Sequence, residues 1–102
     1  MLTEFTEKVI EVIRSIPRGK VMTYGGVAKA AKNPGGTRQV VRILHSCSEK
    51  YDLPWHRVVN AKGETKFAEQ NKLLEGEGVK FVAENVVDLR RSIDANGTDR
   101  TD

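Results

Sequence analysis

Residues 23–46 read TYGGVAKAAKNPGGTRQVVRILHS, and this stretch decides the fold. Thr23 is an N-cap residue ahead of a predicted helix over about Tyr24–Ala31, rich in small side chains. Gly25 and Gly26 weaken that helix by about 1 kcal/mol each relative to alanine, so tertiary packing has to hold it. Asn33-Pro34-Gly35-Gly36 is a turn. A further helix is predicted over Thr37–Ser46, with Val40, Val41, Ile43 and Leu44 on its apolar side. Two short helices joined by a Pro/Gly turn, the second carrying Arg38 and Arg42, make a helix-turn-helix pattern. Spacing alone does not separate it from a helical hairpin that binds nothing.

Outward from this pair, residues 3–16 form an amphipathic helix: Phe5, Val9, Val12, Ile13 and Ile16 recur at helical spacing behind the cap Thr3. Pro17-Arg18-Gly19 ends it, and Lys20-Val21-Met22 is a short extended piece. Downstream, 47–54 is a polar loop, Trp55–Val59 an extended segment, Asn60-Ala61-Lys62-Gly63 a turn and 64–68 a loop. Glu69–Gly76 is predicted as a helix with Leu73 and Leu74 facing in, and Val79–Val82 as a strand. Val86–Leu89 can pack once more. From about Arg91 the chain turns polar, and a frayed tail over 91–102 is expected beyond a single domain over 1–90.

The 102 residues suit one domain, and hydrophobic content of 38% supports a core. No apolar run approaches the roughly 20 residues that span a bilayer. Met1-Leu2-Thr3-Glu4 has neither a basic n-region nor an apolar h-region, so no secretory signal is expected. Cys47 is the single cysteine and has no internal disulfide partner. A reducing, cytoplasmic setting fits, with the nucleoid as its location in a bacterium. Net charge is only +3, but it is unevenly placed. Between Val12 and Ser48 there is no acid, while Arg14, Arg18, Lys20, Lys29, Lys32, Arg38 and Arg42 all fall there. Such a stretch favours a polyanion, although a solvated basic face explains it equally well.

Catalytic patterns are sparse. His45 and His56 are the only histidines, and no Cys-x-x-Cys or His-x-x-x-His is present, so neither a metal nor another cofactor is expected. Cys47 lies two residues from His45, but nothing in the sequence supplies it with an activating base and a lowered pKa, so a structural thiol is expected. Trp55 sits between Pro54 and the His56-Arg57 pair. It reads equally as a core residue or as a flat face on which a base or alkyl group can stack.

A set of motifs runs through the chain in order: Ile16-Pro17-Arg18-Gly19-Lys20-Val21, Thr23-Tyr24-Gly25, Ala28, Arg38-Gln39-Val40, Pro54-Trp55-His56-Arg57-Val58-Val59-Asn60 with Gly63, and Leu73-Leu74 through Glu77-Gly78-Val79. Over about residues 3–82 the chain resembles the alkyltransferase-like proteins, relatives of the C-terminal domain of the O6-alkylguanine-DNA alkyltransferases. The transferase signature is Pro-Cys-His-Arg-Val, and Trp55 stands where that signature has its cysteine. The resemblance implies a mostly α fold with short β-strands, a winged-helix-like helix-turn-helix domain. It implies a non-enzymatic sensor that docks in the minor groove of DNA containing O6-alkylguanine and flips the damaged base. Such a sensor transfers no alkyl group and signals to nucleotide excision repair proteins. A monomer without membrane association is expected.

Residue roles follow from the same resemblance. Arg38 carries over as the finger that fills the vacated stack; an arginine at a helix N-terminus opposes the helix dipole, which argues against a purely structural role. Tyr24 crowds the phosphate beside the target. Trp55 lines the pocket, and the carbonyls of Trp55 and Val58 accept from the base. Thr37, Gln39 and Arg42 are further DNA contacts, and Lys66 stands in for an arginine over the lesion. His56 and Glu77 become a buried hydrogen-bonded pair bracing the pocket, with Arg57 buttressing it. Relatives carry a small residue where Val41 and Arg42 lie here, so either the helix rides higher on DNA or these side chains turn aside. Two other functions compete: alkyl transfer to Cys47, and sequence-specific binding by a winged-helix-like regulator.

Overall fold

The computed structural model describes residues 3–93. Helix α1 spans Glu4–Arg14. The Thr3 hydroxyl oxygen accepts from the Thr6 amide at 3.0 Å. Glu4 and Glu7 in the first turn and Arg14 in the last complement the helix dipole. The helix stops short of Ile16, where the periodicity carried it, because Pro17 disfavours helical backbone at the residue before it. Ile16 is buried all the same.

Strand β1 (Met22–Thr23) leads into α2 (Tyr24–Ala30). The Thr23 hydroxyl accepts from the Gly26 amide at 2.9 Å, the cap expected from the sequence. Lys32 takes a left-handed conformation (φ 71°) and ends α2, with the Asn33 amide donating back to Ala28 O. Helix α3 follows over Thr37–Cys47 and buries Val40, Ile43, Leu44 and Cys47. Helices α1, α2 and α3 enclose the main core, built on Val9, Ile13, Val27 and Val40.

Residues 55–59 are not one extended segment. Trp55–Arg57 is a single 3₁₀ turn, and only Val58–Val59 (β2) is extended. The Arg57 amide donates to Pro54 O at 3.0 Å and closes the turn. An extended chain would send His56 and Arg57 to opposite faces, whereas here both reach Glu77.

Strand β2 pairs in parallel with β1, Met22 opposite Val58 and Thr23 opposite Val59. Met22 and Val58 belong to the main core, while Val21 and Val59 join Leu74, Val79 and Val87 in a second one. The alternation of a pleated ladder thus lets two short strands serve as a wall common to both cores.

Helix α4 covers Ala68–Gly76. Leu74 is buried, but Leu73 is 39% exposed rather than inward-facing. The inner face of α4 runs through Gln70 and Leu74, four residues apart, and leaves Leu73 about 100° away. Strands β3 (Phe81–Ala83) and β4 (Val86–Val87) form an antiparallel hairpin, later in the chain than the strand expected at 79–82. Helix α5 (Leu89–Ser92) completes the described chain. Of the tail expected over 91–102, Arg91 and Ser92 are helical, Ser92 is buried, and Ser92 O accepts from the Val21 amide at 2.8 Å. Residues 94–102 lie outside the described residues.

Candidate functional site

One face of the molecule carries a cavity of about 480 Å³ between α3, the 3₁₀ turn and the start of α4. Tyr24, Trp55, Val58 and Lys66, four of the expected site residues, all line it. Val41, Leu44, His45 and Ser48 supply the α3 wall and the residue just beyond, and Phe67, Glu69 and Gln70 the opposite rim. Walls of this kind, largely aromatic and aliphatic with a few polar groups, suit a flat organic ligand.

The aromatic groups are arranged around Trp55. The Phe67 ring stands edge-on to the indole, with centroids 5.9 Å apart and planes at 81°. Phe67 remains 55% exposed beside the indole. Across the cavity mouth Lys66 Nζ lies 5.9 Å from the centroid of the Tyr24 ring. Burial pushes the Tyr24 hydroxyl pKa upward, so it stays a neutral donor at physiological pH.

Gln70 is the buried polar group of this region. Its Nε2 donates to His56 O at 3.3 Å and Val58 O at 3.2 Å, and its Oε1 accepts from the Lys66 amide at 3.0 Å. The Val58 carbonyl, expected as an acceptor for a base, is therefore already engaged once, and so is Trp55 O by the Val58 amide. Each keeps a second lone pair.

Behind the 3₁₀ turn, Glu77 gathers four donors. His56 Nε2 lies 2.8 Å from Oε2, and Arg57 grips the carboxylate in bidentate fashion through Nε (3.0 Å) and Nη2 (2.9 Å). The Gly19 amide adds a bond to Oε1 at 3.1 Å, and Arg57 Nη1 donates to Ile16 O at 2.8 Å. Gly19 holds φ +87° here, and a Cβ would meet Glu77 O at 3.1 Å, so the turn after α1 needs its glycine. Burial of Glu77 favours its neutral form, but the Arg57, His56 and Gly19 bonds outweigh it and hold its pKa at about 2. The expected bracing trio His56, Arg57 and Glu77 is thus brought together. It sits behind Trp55 and does not line the cavity.

The remaining expected contacts lie on α3. Thr37, Arg38, Gln39 and Arg42 are all exposed along the first half of the helix, outside the cavity. Among the described residues no carboxylate pairs with Arg38 or Arg42. Val41 lines the cavity wall, while Arg42 is exposed on α3. Cys47 is buried in the last turn of α3, beside the Ser46 hydroxyl at 3.7 Å, and does not line the cavity. Among the described residues no group of His, Cys, Asp and Glu is placed to hold a metal ion, and no helix is long and apolar enough to cross a membrane.

Sequence reasoning missed Phe67 and Gln70. The first had a signal, a lone aromatic beside Lys66 in a polar stretch. The second had one in the helical phase, four residues before Leu74.

Residues 4–79 match the family of the 6-O-methylguanine DNA methyltransferase DNA-binding domain. The chain is 39% identical over 92 residues to a protein of Escherichia coli K12 named DNA base-flipping protein, covering 85% of this chain and 71% of that one. It is 35% identical to alkyltransferase-like protein 1 of Schizosaccharomyces pombe, covering 78% and 81% of the two chains. The fold superposes on the crystal structure of S. pombe Atl1 in complex with damaged DNA containing O6-carboxymethylguanine, with a TM-score of 0.69 and 34% identity over 78% of this chain and 81% of that one. The mostly helical helix-turn-helix architecture expected from the sequence is the one these proteins share.

Proposed function

This chain belongs to the family of the 6-O-methylguanine DNA methyltransferase DNA-binding domain, and from that membership we propose that it is a sensor of O6-alkylguanine in duplex DNA. The exposed first half of α3 docks in the minor groove. Arg38 enters the stack, and the modified nucleotide turns out into the cavity beside Trp55. An alkylated O6 pairs badly, so extrusion costs less than the usual few kcal/mol. Tyr24 crowds the flanking phosphate, and Lys66 covers the base from the rim. Thr37, Gln39 and Arg42 fix the register on the backbone.

The observation that carries this reading is Trp55 at the cavity wall, at the place in Pro-x-His-Arg-Val where the transferases have their thiol. An indole offers stacking surface and no nucleophile. The His56–Glu77 pair behind it then braces the turn instead of activating a sulfur. Cys47, buried away from the cavity, supports the same conclusion. Without transfer there is no turnover, and a long-lived complex suits a protein that marks the site for nucleotide excision repair proteins.

Electrophoretic mobility shifts on duplexes carrying guanine or O6-methylguanine, at several salt concentrations, test the proposal. Tighter binding to the lesion is expected at each, with the protein mass unchanged afterwards. Equal affinities would overturn selective recognition, and a methyl group found on the protein would overturn the absence of transfer.

A further inference from the structure

Resting on the sensor reading, we infer that Gln70 is a positioning residue that sets how wide the lesion cavity opens, and so which O6 substituents it admits. Opposite the α3 wall, the cavity is bounded by two segments joined through residues 59–65. The Trp55 wall and the Val58 floor come from the 3₁₀ turn and β2, and the rim of Lys66 and Phe67 from the loop before α4. Gln70 spans the two. Its amide nitrogen holds the floor through His56 O and Val58 O, and its amide oxygen holds the rim through the Lys66 amide. At 4% exposure, it makes these bonds with little competition from water. The amide orientation is dictated by its partners, since a flipped group would set its oxygen against two carbonyls.

A second tie keeps the rim from swinging about this point. The Thr65 hydroxyl donates to Asn71 Oδ1, Asn71 Nδ2 donates to Asn85 Oδ1, and the Thr65 amide donates to Asn85 O. The far end of the loop is thereby fixed to the β3–β4 turn. Its near end, with Lys66 and Phe67, has Gln70 as its link to the cavity floor. The edge-on placement of Phe67 against Trp55 depends on that link.

The test uses the full chain with Gln70→Met, which keeps length and helix propensity but donates and accepts nothing there. Gln70→Glu keeps the acceptor for Lys66 and loses both donations to the floor. Trp55 is the only tryptophan, so acrylamide quenching reads its exposure without DNA. Affinities are measured for duplexes bearing guanine, O6-methylguanine and O6-benzylguanine. Quenching is expected to rise about twofold in Gln70→Met, and the ratio of benzyl to methyl affinity to shift about fivefold, the scale of losing one or two buried hydrogen bonds. Undamaged DNA, held by α3, should be bound within about twofold of wild type. Gln70→Glu sets a carboxylate oxygen against the two carbonyls and should shift both readouts at least as far as Gln70→Met. Wild-type quenching and ratios in both variants would overturn the inference, as would an equal loss on all three duplexes. Failure of the wild type to prefer any lesion would sink the sensor reading alone, because the quenching comparison still decides the role of Gln70.

Discussion

Arg38 is the second residue of α3, exposed and unpaired with any described carboxylate, at the end of the helix where a cation is least favourable. Such a side chain costs the free protein a little stability, which fits the finger role proposed for it. Arg38→Ala is therefore expected to weaken binding to an O6-methylguanine duplex by about 1–3 kcal/mol while leaving the thermal midpoint unchanged or slightly raised. Titration of labelled duplex reads the first and a melting scan the second; full lesion affinity in the variant would remove the finger role. At this scale the sequence was informative where a residue type was out of place. Trp55 is such a residue, and Tyr24 and Lys66, which the family resemblance singles out, share its cavity. Gln70 did not stand out, because a glutamine on an amphipathic helix looks like a surface residue until its helical phase is set against Leu74.

The elements were legible wherever a cap or breaker marked them. Thr3 and Thr23 open helices as their side chains require, and the breakers Pro17 and 33–36 lie just beyond the helix ends. The 3₁₀ turn at Trp55–Arg57 was not, since the partner that holds its His56 and Arg57 side chains is the remote carboxylate of Glu77. The 60–63 turn shows the opposite case. Gly63 holds φ +80°, and a Cβ there would lie 2.9 Å from Val87 O and 3.1 Å from Leu89 Cγ. Neither the backbone conformation nor the space suits a side chain. Gly63→Ala should destabilise the domain by about 1–3 kcal/mol. A urea midpoint equal to wild type would show that the turn relaxes freely.

At the scale of the whole molecule, Glu77 joins the turn after α1, the 3₁₀ turn and the end of α4. Its pKa falls from an ordinary 4.5 to about 2 on folding. A carboxylate depressed in this way contributes stability that is complete above the unfolded value and fades as pH drops through the folded one. The amount is about 3 kcal/mol. Urea midpoints should therefore decline between about pH 5 and pH 2. Glu77→Gln should be less stable at neutral pH and flatter across that range. An unchanged slope in the variant would assign the acid sensitivity elsewhere. The global architecture followed from motif order along the chain, whereas the division into two cores could not be foreseen, because it arises from a pairing between residues 36 positions apart, Met22 and Val58. That pairing has a mechanical consequence. Tyr24 directly follows one strand and Trp55 lies three positions before the other, so both rings are carried by the same short ladder. Their separation is set when the protein folds, so any flat ligand that enters between them would meet a slot already cut to gauge.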